Sequence, residues 1–157
     1  MGLFDFVRDA GEKLGIVKDK EKEAVEEYVE EHQKANALWH MVTGLGLQIE
    51  DMQIVFDDGV ATVHGVAPNQ AEKEKVILAL GNTQGVSQVD DRIEVVAPEP
   101  EAVFYTVESG DTLSKIALQQ YGNAMKYPMI FEANKPMLKD VDLIYPGQVL
   151  RIPPLEA

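Results

Sequence analysis

The 157-residue chain contains no cysteine, which excludes disulfides, iron–sulfur clusters and thiol catalysis. It has only three histidines, a poor supply for a structural zinc site. Basic residues are scarce as well: 14 Lys and Arg face 27 Asp and Glu, a net charge of −13 with His neutral. Nucleic acid is therefore not an expected partner, because phosphate recognition needs clustered cations. The same self-repulsion favours a monomer. No stretch approaches the roughly 18 uninterrupted apolar residues of a membrane span, so no membrane insertion is expected. The opening residues carry Asp5, Asp9 and Glu12 with no basic region and no long apolar core, unlike an export signal. A cytoplasmic location is the expectation. Apolar residues at 45% and charged residues at 26% are the balance of a folded chain.

Catalytic signatures are missing too. Ser109 lacks the glycine two positions before it that a nucleophile elbow requires. Gly44-Leu45-Gly46 has Ile49 where a dinucleotide loop needs its third glycine. Asp140 and Asp142 open like a calcium loop, but Tyr145 stands at the glycine position. The pairs Asp57-Asp58 and Asp90-Asp91 fall at turns, where Asp is expected for backbone reasons. No nucleophile and base can be paired, so the chain is not read as an enzyme.

What is present is periodicity that changes along the chain. Leu3, Phe6, Val7, Ala10 and Leu14 fall on one helical stripe, predicting an N-terminal helix over 2–14 within a segment 1–15. A second helix runs to about Val42, with Val25, Tyr28, Val29, His32, Ala35, Trp39 and Val42 as its inward stripe. The period then drops to two. Met52, Ile54 and Phe56 lead through Asp57-Asp58-Gly59 into Ala61 and Val63, a β-hairpin in which His64 reads as surface or packing. Asn69 caps a helix reaching about Leu80, and Arg92 to Val96 form a third strand. Residues 16–97 thus read as helix, hairpin, helix, strand.

A stiff linker, 98–102, carries Pro98 and Pro100. Residues 103–153 follow as strand, two helices and strand, with Pro146-Gly147 at the centre of a type II turn and 154–157 as tail. The fold class is α+β, in two small domains with an N-terminal helix.

Both halves carry family motifs. Tyr105-Thr106-Val107, Ser109-Gly110-Asp111-Thr112-Leu113, Tyr121-Gly122, Asn134 and Ile144 to Pro153 resemble a LysM domain. Gly59 to Val66 and Gly85-Val86-x-x-Val89-Asp90-Asp91 look like a BON domain. With the opening Met1-Gly2-Leu3-Phe4, the whole chain resembles the small cytoplasmic potassium-binding proteins of bacteria. That resemblance implies selective K⁺ binding by main-chain carbonyls of Val7, Arg8 and Ala10 in the N-terminal segment and of Gly81, Thr83 and Val86 in the BON domain. Thr83 and Val86 stand where the family usually has isoleucine, a difference that matters little when only the backbone binds.

The physics is compatible. The last carbonyls of a helix lack intrahelical partners and carry the negative end of its dipole. Gly81 and Gly85 would let the chain curl and turn carbonyls inward. Carbonyl dipoles suit K⁺, whereas a hard dication favours Asp and Glu oxygens. The same glycines also fit an ordinary helix C-cap with water, and it is the resemblance that turns them toward an ion. It further implies a K⁺ sensor or buffer in which the ion orders the N-terminal helix against the BON domain. The alternatives are N-acetylglucosamine polymers held by the LysM domain, near Gly110-Asp111-Thr112 and Pro136-Met137-Leu138, and a protein-interaction scaffold.

Overall fold

In a computed structural model of the chain, the structure describes residues 2–6 and 24–155. Residues Gly2–Asp5 are strand β1, Ala24–Gly44 helix α1, Glu50–Asp57 and Val60–Asn69 strands β2 and β3, Gln70–Gly81 helix α2 and Gln88–Ala97 strand β4. Val103–Thr106 (β5), Leu113–Tyr121 (α3), Tyr127–Ala133 (α4) and Val149–Ile152 (β6) complete the chain, with one 3₁₀ turn at Ala124–Lys126.

The first domain is built on β2 and β3, an antiparallel hairpin whose turn residues Asp58 and Gly59 both have positive φ, as a tight two-residue turn requires. From β3 the chain crosses through α2 to β4, which pairs parallel to β3. Parallel neighbours need such a crossover. Among the described residues the sheet order is β1-β4-β3-β2, and β5 and β6 form a separate antiparallel pair. The fold class and the order of elements after residue 24 agree with the sequence reading.

Three readings are corrected. Asp90 and Asp91 do not stand at a turn: both lie within β4, where Asp91 is buried with the Lys73 ammonium 3.1 Å away. Residues 2–5 are not helix: Gly2 to Asp5 pair antiparallel with Asp91 to Gln88 at the sheet edge. Phe4 and Phe6 are half-buried while Leu3 and Asp5 are exposed, so the operative period is two. The rest of the stripe, from Val7 to Leu14, lies outside the described residues. The buried face of α1 is also rotated from the expected one. It consists of Lys34, Leu38 and Val42 at four-residue steps, whereas His32 and Trp39 are exposed. Trp39 lies on the flank, where its indole N–H donates to the Met52 carbonyl at 3.1 Å. Lys34 joins the buried face by laying its ammonium over the Phe56 ring, 5.2 Å from the centroid.

The two cores are distinct but touch. The first gathers Leu38, Val42, Phe56, Val63, Val76 and Ile77 among others, and the second Val107, Ile116, Ile130, Leu138 and Leu150. Phe104 and Met137 of the second half pack against the first core. Phe4 and Phe104 stack across the boundary with centroids 5.5 Å apart.

Candidate functional site

Helix α2 and the loop after it form the centre of the molecule. Asn69, in extended backbone, starts the helix by accepting the Glu72 N–H at 2.9 Å. From Val76 to Gly81 every residue is buried, on all sides of the helix. A helix apolar all round must be covered all round. The sheet covers one side, and the second domain meets α2 through β6.

The loop takes its shape from a few local bonds. Asn82, the C-cap, donates its N–H to the Leu78 carbonyl at 2.9 Å. Thr83 donates its hydroxyl to the Ala79 carbonyl at 2.7 Å and its N–H to that of Leu80 at 3.2 Å. The carbonyls of Leu78, Ala79 and Leu80 thus find donors within the turn. Val86 then donates to the Thr83 carbonyl at 3.1 Å, a turn that Gly85 permits with φ of +92°. Thr83 and Val86 are fully buried, so their backbone groups face protein rather than bulk water.

The glycine roles differ from the expectation. Gly85 supplies the turn, but Gly81 does not: it is the last helical residue and has no positive φ. Its reason is space. A Cβ on Gly81 would fall where ring atoms Cζ, Cε1 and Cε2 of Phe6 lie. Phe6 also donates its N–H to the Ser87 carbonyl at 2.7 Å. One residue of the N-terminal segment therefore holds both ends of the loop, the first by its ring and the last by its backbone.

Of the six residues implied as ligands, Gly81, Thr83 and Val86 share this loop. Val7, Arg8 and Ala10 lie outside the described residues, immediately after Phe6 in sequence. Among the described residues no group of three or more His, Asp or Glu converges as a metal-binding cluster. What the loop offers a cation is neutral carbonyl oxygen. The Lys34 ammonium approaches from α1, 3.8 Å from where a Cβ on Gly85 would stand.

The second domain grips the same helix end. Asn82 donates from Nδ2 to the Val149 carbonyl at 2.8 Å and accepts the Val149 N–H at Oδ1 at 2.9 Å. One side chain thereby copies the paired bonds of a neighbouring strand along β6. About two turns earlier on α2, Glu74, only 3% exposed, accepts from Arg151 Nε at 2.6 Å. The same carboxylate takes the Gln70 amide at 3.1 Å and the Ala102 N–H of the linker at 3.0 Å. Arg151 is held in turn by Asn134, which accepts its N–H at 2.7 Å and donates to its carbonyl at 2.9 Å.

The two segments implied for glycan contact have different fates. Gly110-Asp111-Thr112 is an open turn: Asp111 accepts the Tyr105 hydroxyl at 2.6 Å and the Glu108 N–H at 2.8 Å. That hydrogen bond to a carboxylate pushes the Tyr105 phenol up to about 12. The other segment faces α2. Leu138 is buried, Met137 packs on the first core, and a cleft of about 220 Å³ between them and Asn82 is lined also by Lys139 and Tyr145.

Phe6, Asn82, Glu74 and Arg151 carry this geometry; sequence reasoning gave Phe6 only a place on a helical stripe and assigned no contact to the other three. The alternation Leu3-Phe4-Asp5-Phe6 was a signal for β1. Nothing local marks the contact that Asn82 makes, since its partner is 67 residues away.

A sheet crossed by α2 and docked on a strand–helix–helix–strand unit defines a BON–LysM protein. The BON domain family matches residues 34–97 and the LysM domain family residues 105–153. The chain is 48% identical over 155 residues to the potassium binding protein Kbp of Escherichia coli O6:H1 (strain CFT073), across 98% of this chain and 99% of that one. It belongs to the same family, the bacterial BON–LysM potassium-binding proteins. An uncharacterized protein of Deinococcus radiodurans is 53% identical over 49 residues, 31% of this chain and 19% of that one.

Proposed function

We propose that this chain binds K⁺ selectively through main-chain carbonyls of Val7, Arg8, Ala10, Gly81, Thr83 and Val86. The observation that carries the reading is the near full-length similarity to a potassium binding protein. The fold supports it independently: a loop in which Gly81, Thr83 and Val86 are buried is tied at both ends to Phe6, the residue before the other proposed ligands. Carbonyl dipoles can replace a monovalent ion's hydration shell without a carboxylate charge. The ion then joins the N-terminal segment to the BON domain, and the protein acts in the cytoplasm as a K⁺ sensor or buffer. A chain terminus keeps its order only where it is tied down, so a bound ion would add to the hold that pairing with β4 already gives β1. The test is calorimetric titration with KCl and NaCl of the full chain and of a chain lacking residues 2–10. K⁺-selective heat that the truncation abolishes is the expected result, and equal K⁺ affinity in both chains would contradict it.

The LysM match supports a second reading, glycan binding at Gly110-Asp111-Thr112. Met137 of the other segment packs against the first core, whereas Gly110 and Thr112 of this turn are exposed. A chitin pull-down of the intact chain distinguishes this reading from the first.

A further inference from the structure

Two helices of the first domain end in glycine without positive φ, and their surroundings are opposite. Around Gly44, the last residue of α1, a Cβ would meet nothing within 4 Å. Around Gly81, the last residue of α2, it would meet the Phe6 ring. At neither position does the backbone need glycine, and alanine is the better helix former. The absent side chain at 81 therefore serves the ring that sits there. Phe6 is half-buried against the first core, and its N–H is fixed to Ser87 at the other end of the loop.

We propose that Phe6 and Gly81 are the positioning pair of the ion site. The ring seated on the Gly81 Cα, with the Phe6 N–H on the Ser87 carbonyl, fixes Phe6 against loop 81–87. Phe6 contributes no oxygen of its own in this account. It acts through the neighbours that do, as groups behind the ligands of a metal site do, where their loss typically lowers affinity about 10- to 100-fold. The inference rests on the K⁺ reading proposed above and adds one residue, Phe6, together with a second, steric role for Gly81, whose carbonyl is already among the proposed ligands.

The experiment is a K⁺ and Na⁺ titration, in a choline chloride background, of the full chain and of Gly44→Ala, Gly81→Ala, Phe6→Ala and the double variant Phe6→Ala/Gly81→Ala. Melting in choline alone reports folding separately. Gly44→Ala keeps wild-type affinity. Gly81→Ala and Phe6→Ala each lose about tenfold or more in K⁺ affinity, with a narrowed preference for K⁺ over Na⁺. A purely structural role would not move that preference. The double variant binds no more weakly than Phe6→Ala, because the added methyl enters space the ring has left. Wild-type affinity in Gly81→Ala, or losses that multiply in the double variant, overturns the pairing. Should Gly81→Ala not fold, Phe6→Leu decides: it keeps an apolar contact but removes the ring, and unchanged affinity overturns the proposal. No K⁺ binding by the wild-type chain overturns the pairing together with the reading it rests on. The other contrary results overturn the pairing alone.

Discussion

Helices α2 and α3 make an instructive pair. On α3 only Leu113, Ile116 and Ala117 are buried, while Leu118 is 55% exposed. That is an ordinary half-covered helix, started by Thr112 and ended by Gly122 in the left-handed conformation. On α2 the six residues from Val76 to Gly81 are all buried. One helix serves one core; the other is a shared wall between two domains. The difference shows where the molecule concentrates its polar bonds. Asn82 and Glu74 connect α2 to β6 and the linker, and among the described residues no buried side-chain nitrogen or oxygen lacks a partner.

The sharpest way to break the shared wall is to remove one side of its ion pair. Arg151→Ala leaves the Glu74 carboxylate buried beside neutral donors only, and unfolding in urea should show a loss of about 3–5 kcal/mol. Replacing both partners by apolar residues, Glu74→Leu with Arg151→Met, should cost much less, since no charge is then stranded. Leu80→Ala comes next, at about 2–5 kcal/mol for a fully buried leucine. Its counterpart on the half-covered helix, Leu118→Ala, should stay within about 0.5 kcal/mol. Equal effects at the two leucines would erase the distinction between the helices.

Asn82→Ala tests the clasp itself. It strands the N–H and carbonyl of Val149, and a loss of about 2–3 kcal/mol is expected, with faster proteolysis of linker 98–102. The smallest effect falls on the α3 side, at Tyr105. Its raised pKa means that the bond to Asp111 stabilises the fold fully below about pH 10, the ordinary phenol value, and is lost as pH rises toward about 12. The tyrosinate absorbance difference between wild type and Tyr105→Phe should therefore develop near pH 12. Asp111→Asn should bring it down.

Much of this architecture was legible from local pattern. The hairpin turn at Asp58-Gly59, the Asn69 cap, the two-proline linker and the Pro146-Gly147 turn each have a short-range cause. Segment 2–6 was not, because Leu3 and Phe6 satisfy a helical spacing as well as Phe4 and Phe6 satisfy a strand. Pairing with β4, more than 80 residues away, decides between them. The stripe of α1 was misplaced for a similar reason. Its charge favours the outside for a lysine, yet Lys34 is buried with its ammonium over Phe56, a ring that its own helix does not contain. Gly81 was read as a source of flexibility, and only the packed Phe6 ring reveals that it provides room. The candidate carbonyl loop itself was legible as Gly81 to Val86. Its attachment to β6 through Asn82 was not, since a side-chain amide paired with a distant strand leaves no periodic trace.

The central claim is that a carbonyl loop closed by the N-terminal segment holds K⁺. A melting curve of the intact chain in KCl, NaCl and choline chloride at matched ionic strength tests it most directly. A site filled at 100 times its Kd stabilises the fold by about 2.7 kcal/mol, and for a chain of this size that corresponds to a rise of roughly 5–10 °C in Tm. The rise is expected in KCl alone. Three superimposed curves would contradict the account.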